Sequence, residues 1–94
     1  MERSSNNRRI IDGEWDQYLT DWGNAAWSWD GEVIVRFAHE QNGNWFPWSP
    51  GLNGNTPESY VGMFTRVSDI AGHSNVQVWW CPNGAGKDPA LTYP

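Results

Sequence analysis

The stretch EVIVRFAHEQNGNWFPW, residues 32 to 48, decides how the chain is read. Its first part, Glu32 to Ala38, is a β-branched run bounded by turn residues, and so a strand. The run is almost continuously apolar, which suits a strand covered on both faces as in a parallel sheet; Arg36 is the exception. A loop rich in Gly, Pro and Asn follows, from His39 to Asn55. It opens on a His-Glu pair, and Trp, Phe and Asn crowd in behind it. A carboxylate at the carboxyl end of a strand is either a catalytic group or an ordinary surface side chain, and the flanking elements must decide.

Upstream, the large apolar residues between Asp12 and Trp29 fall at Trp15, Tyr18, Leu19, Trp22, Ala25, Ala26 and Trp29. Spacings of three and four make one helical face. Asp12 is expected as its N-cap and Asp30-Gly31 as its stop, with residues 1–11 a poorly ordered lead-in. Downstream, Thr56 caps a second helix, Pro57 takes its first position and Glu58 lies at the positive end of its dipole. Tyr60, Val61, Phe64, Val67 and Ile70 repeat at helical spacing, and Gly72 is a natural stop. Val76 to Trp80 is a second strand, and Cys81 to Pro94 a loop rich in Gly and Pro.

Helix, strand, loop, helix, strand, loop is an order that predicts parallel strands joined by crossovers. The connections entering the strands are short and those leaving them are long. In (β/α)8 barrels and open α/β sheets the chemistry lies on the loops at the carboxyl ends of the strands, where the His-Glu pair falls. Two strands cannot close a barrel, which takes eight and typically ~250 residues. The expected architecture is therefore α/β: a partial (β/α)8 TIM barrel of about two βα units, incomplete on its own, with residues 1–94 a fragment of one catalytic domain.

Composition narrows the function. A 94-residue chain with a formal charge of -5 and a pI near 4.7 lacks the basic face that nucleic acid or an anionic membrane would demand. No apolar stretch approaches the ~20 residues of a membrane span. MERSSNNRRI carries basic residues, but no apolar run of ~7–15 residues follows, so nothing reads as a secretory signal. Cys81, the lone cysteine, cannot form an internal disulfide. Eight Trp, three Tyr and three Phe are far more than such a chain usually holds. Their flat apolar faces with polar rims suit sugar rings as well as a core. Trp15, Trp22, Trp27 and Trp29 read as core or barrel-surface packing on the first helix, with Trp27 off its main face. Of Trp79 and Trp80, alternation along the strand turns one toward a cleft, without saying which. His39, Glu40, His73 and Cys81 match no familiar zinc spacing, so no metal or other cofactor is expected.

The block from Arg36 to Trp48, with its His-Glu-x-Asn-Gly core and a Trp two residues later, resembles the fourth strand and following loop of glycoside hydrolase family 26. That family contains endo-β-1,4-mannanases and some β-1,3-1,4-glucanases. The similarity runs from about Ile11 to Tyr93 and takes in GEWDQYL, TPESYV and NVQVWWCPN. The resemblance implies Glu40 as catalytic acid/base, His39 as a sugar-binding residue supporting it, and Trp45 as part of a subsite wall. Asn42, Asn44 and Trp48 share the loop and are expected to line the cleft. The family's nucleophile is a second glutamate several strands on, beyond Pro94. Gln41 replaces the Met common in close relatives, which reads as neutral. A β-linked polysaccharide is the implied substrate, and secretion is expected of an enzyme acting on polymers too large to enter a cell.

Retaining hydrolysis needs two carboxyl groups about 5–5.5 Å apart, one the acid/base and one the nucleophile. An apolar aromatic pocket and a second carboxylate both raise an acid's pKa. Glu40 is placed in sequence for the first effect, between Phe37 and Trp45. Without the second glutamate the isolated chain is expected to be inactive, and its open sheet edges to favour self-association. The competing reading is a module that holds polysaccharide on its Trp-rich loops without cleaving it.

Overall fold

The computed structural model describes residues 7–29 and 31–94. The chain runs through α1 (Asn7–Ile11), α2 (Asp16–Trp27), β1 (Val33–Arg36), α3 (Pro57–Ala71) and β2 (Val76–Trp79), then a 3-10 turn at Pro89–Thr92. β1 and β2 pair in parallel, from Val33 opposite Val76 to Arg36 opposite Trp79. The molecule is thus a small mixed α/β unit: two parallel strands backed by helices.

α3 forms as its sequence dictates. Thr56 Oγ1 accepts the Ser59 N–H at 3.0 Å, Ser59 Oγ accepts the Thr56 N–H at 2.9 Å, and Pro57 opens the helix. Its stripe of Tyr60, Met63, Phe64, Val67 and Ala71 is buried and makes the core, against which Phe37, Trp48, Val78 and Trp80 pack. α2 meets α3 where Gly23 faces Ala71; a Cβ on Gly23 would lie 3.0 Å from the Ala71 Cα. Arg66 of α3 grips Asp16 at the start of α2 with two bonds, 2.8 Å from Nε and 2.5 Å from Nη2. Asn75 ties the other end, its amide donating to the Ala26 and Gly31 carbonyls.

The start of α2 departs from expectation. Asp12 does not cap it, because a separate helix comes first. α1 ends in a Schellman turn: Glu14 N–H donates to the Arg9 carbonyl, Gly13 N–H to that of Ile10, and Gly13 lies at φ +93. Asp12 closes one helix, and α2 begins at Asp16. Residues 7–11, expected as a loose lead-in, instead pack on α3. Asn7 is buried, its N–H bonded to Asn55 Oδ1 and its side-chain amide to the Trp48 carbonyl. Residues 1–6 and Asp30, the expected helix stop, lie outside the described residues.

Among the described residues, the strands are covered on one face only. α1, α2 and α3 all lie toward Val35, Phe37 and Val78. The opposite face carries Ile34, 45% exposed, Trp79, 46% exposed, Arg36 and Gln77. Apolarity along a strand reports what it can bury, not how many layers the chain supplies. The result is a slab 17 Å in its smallest dimension, about one sheet plus one helix in depth. Alternation also sorts the tryptophans. Trp79 is on the open face, whereas Trp80 packs against the core beside Tyr93. Trp15, Trp27 and Trp29 are about half exposed rather than core residues. Trp22 lines a hollow of about 260 Å³ between α2 and the sheet.

Candidate active site

β1 ends at Arg36, and the next residues turn sharply. Ala38 lies at φ +48 and Glu40 at φ +56, a left-handed conformation that costs a side-chain-bearing residue of order 1–3 kcal/mol. Such strain persists only where the surroundings fix it, and here they do. The Ala38 carbonyl accepts the Tyr60 hydroxyl at 3.1 Å, and the His39 carbonyl accepts the Trp48 indole N–H at 3.0 Å. Glu40 N–H donates to the Cys81 carbonyl at 2.8 Å, and the Glu40 carbonyl accepts the Gly43 N–H at 3.1 Å. Burial of Tyr60 pushes its phenol well above the usual range, so that hydroxyl stays a donor at any ordinary pH.

The Glu40 carboxylate is held at both oxygens. Oε2 accepts the Asn83 side-chain amide at 3.1 Å and Oε1 accepts the Trp45 indole N–H at 3.2 Å. Those two bonds, Asn83 first, hold its pKa below the usual 4.5; the charges of His39 and Arg36 act the same way, and desolvation opposes them. The expected upward shift from an aromatic pocket does not occur. The reason is geometric: Trp45 presents its polar edge to the carboxylate, and a donor stabilises the anion whereas an apolar ring face would not.

The sequence-predicted residues take different places. His39 packs its ring on Phe46 and Trp48 with centroids 4.9 and 5.9 Å away, and Phe46 and Trp48 stack at 4.5 Å. Trp45 is half exposed beside Glu40. Asn44 is exposed. Asn42 is buried, and its amide is committed to the neighbouring loop. Oδ1 accepts the Asn83 N–H at 2.7 Å, and Nδ2 donates to the Asn83 and Lys87 carbonyls at 2.6 and 2.9 Å. It therefore pins the β1–α3 loop to the loop after β2. Gln41, read as a neutral change, is fully buried, with its amide donating to Thr92 in the 3-10 turn.

Two glycines explain why the loop can do this. A Cβ on Gly43 would stand 2.3 Å from the Trp45 ring, and one on Gly86 would stand 2.4 Å from the Asn42 carbonyl. Gly43 lets Trp45 lie flat enough to reach Glu40, and Gly86 lets the second loop close on the first. Asn83 is the partner of Glu40 that the sequence reading missed. The sequence held no signal for it: parallel pairing of Arg36 with Trp79 sets the two following loops side by side, but the meeting of Glu40 and Asn83 depends on the turns beyond the strands.

Hollows beside the site take in neighbours of Glu40 rather than Glu40 itself; one of about 180 Å³ is lined by Gln41, Asn42 and Lys87 among others. Another of about 510 Å³ lies at the β1 side, between Val35, His39, Trp48, Asn7 and Met63. The Glu40 carboxylate is at the surface, on one wall made by two loops. Among the described residues no group of three or more His, Cys, Asp and Glu side chains could hold a metal, and His73 stacks on Trp27 at the far end of the sheet.

Fold and site together define an α/β unit that displays a doubly hydrogen-bonded carboxylate, with aromatics around it, at the carboxyl ends of parallel strands. No family model matches the chain. It is similar to part of Endoglucanase H of Acetivibrio thermocellus, with 35% identity over 63 residues, which is 65% of this chain and 7% of that protein. The chain thus spans only a small part of the curated relative it matches.

Proposed function

We propose that this chain is a piece of the catalytic domain of a retaining, endo-acting glycoside hydrolase of the family 26 type, cleaving a β-linked polysaccharide such as β-mannan. Glu40 is its general acid/base, with His39, Trp45 and Trp48 contacting sugar and Asn42 holding the loop that carries them. The observation that carries this reading is the Glu40 carboxylate, fixed by Trp45 and Asn83 beside the stacked Phe46 and Trp48. Similarity to an endoglucanase supports the glycosidase class, and the His-Glu-x-Asn-Gly block supports the family. In the whole enzyme the open face of Ile34, Arg36, Gln77 and Trp79 becomes the interior of a (β/α)8 barrel. Such an enzyme is secreted.

Two N–H donors favour the carboxylate form of Glu40, which is the base that activates water in the second half of a retaining cycle. The first half needs the acid. A second carboxylate about 5 Å away supplies that state, because like charges at that distance resist joint ionisation. That group also forms the covalent glycosyl intermediate. On this reading the 94 residues hold one half of the machinery and are expected to give no turnover alone.

The test is reducing-sugar release from mannan and mixed-linkage glucan by a longer polypeptide that includes the downstream glutamate. Cleavage by that polypeptide, lowered about 10²–10⁴-fold in Glu40→Gln, is the expected result. A second reading draws on the half-exposed Trp45: a module that grips polysaccharide without cutting it. Binding with no cleavage by the longer wild-type polypeptide favours that reading.

A further inference from the structure

We propose that Asn83 is the positioning residue of Glu40, and that Asn42 sets Asn83 in place, so that the carboxylate's aim is fixed by a side-chain relay across two loops. The geometry runs in one direction. Asn42 binds both the N–H and the carbonyl of Asn83, at 2.7 and 2.6 Å. With its backbone clamped on both sides, Asn83 aims its amide at Glu40 Oε2. Its own Oδ1 accepts the Ala85 N–H at 2.7 Å, which settles which end of the amide is the donor. The Glu40 N–H bond to the Cys81 carbonyl holds the two loops at one level.

Other groups act on the same carboxylate. Trp45 holds the second oxygen, and the charges of His39 and Arg36 also favour the carboxylate. Neither charge is bonded to it through a fixed geometry in the way Asn83 is. Asn83 is also the largest of the influences that keep Glu40 ionised. A residue that bonds one oxygen of an acid/base from a neighbouring strand's loop sets both its orientation and the pH at which it releases its proton. The importance of the relay to catalysis rests on the acid/base reading of Glu40; the relay itself does not.

The experiment is a pH titration of the 94-residue chain in dilute solution by NMR, following the Glu40 carboxyl carbon and the Asn83 side-chain amide. In the wild-type chain the Asn83 amide signals shift with the same midpoint as the Glu40 carbon. In Asn83→Ala the Glu40 midpoint moves up toward the usual value, and in Asn42→Ala it moves the same way. If Asn83→Ala does not fold, the wild-type co-titration decides. Asn83 amide signals indifferent to Glu40 ionisation, or an unmoved midpoint in folded Asn83→Ala, overturn the relay. Its failure is separable from that of the glycosidase reading. Loss of cleavage in a longer Glu40→Gln polypeptide, with Glu40 indifferent to Asn83, sinks the relay alone; the reverse pattern sinks the glycosidase reading alone.

Discussion

Glu40 is ionised, anchored and backbone-strained at once, and each property traces to a named neighbour. Gly43 is the least conspicuous of these. A methyl group there meets the Trp45 ring at 2.3 Å, so Gly43→Ala drives the ring away and breaks its bond to Glu40. The expected outcome is a Glu40 midpoint raised in the NMR titration, with the Trp45 indole N–H signal no longer following Glu40 ionisation; an unchanged midpoint contradicts it. Tyr60→Phe removes the hydroxyl that pins the Ala38 carbonyl and is expected to lower stability by about 1 kcal/mol, read from the urea midpoint. His39, Glu40, Trp45 and Trp48 could be grouped from sequence because they share one loop. Asn83 could not, because its partnership with Glu40 exists only once the strands are in register. Asn42 was legible as a loop residue, but its burial was not: an Asn in a sequence looks the same whether it faces sugar or a neighbouring backbone.

At the scale of elements, α3 is the best-read part because every signal for it is local: cap, N-terminal Pro, apolar stripe and Gly stop. Thr56→Ala removes half of the capping box and is expected to cost about 1 kcal/mol, again measured in urea. The α1–α2 boundary was hidden for the opposite reason. The five residues of α1 are too few to show an apolar stripe, so they read as a lead-in, and the left-handed Gly13 divides the two helices. The junction is then held by Asp16 and Arg66, whose side-chain bonds keep the Asp16 pKa below its usual 3.8. Asp16 and Glu40 both have depressed folded-state values. Their stabilising contributions are therefore complete above the unfolded values and lost as pH falls through the folded ones. Urea midpoints are expected to hold near neutrality and drop in acid, with a shallower drop in Asp16→Asn. An identical acid profile in the variant contradicts the assignment.

For the whole molecule, parallel pairing was legible in the alternating order, and the count of layers was not. Apolar strands advertise two buried faces, but the chain's helices cover only one. An open face with Ile34 and Trp79 half exposed, on strands whose outer edges have no pairing partner among the described residues, favours association. We predict that light scattering after size-exclusion chromatography finds concentration-dependent self-association, reduced by Trp79→Lys. A monomer at all concentrations contradicts that.

The most direct measurement of Glu40's role compares leaving groups. In a longer polypeptide with the downstream glutamate, Glu40→Gln should lose cleavage of natural β-linked oligosaccharides, whose departing oxygen needs a proton. It should keep much of the bond-breaking step on aryl glycosides, whose phenolate leaves without one. Equal losses on both substrates, or no loss on either, would contradict Glu40 as the proton donor.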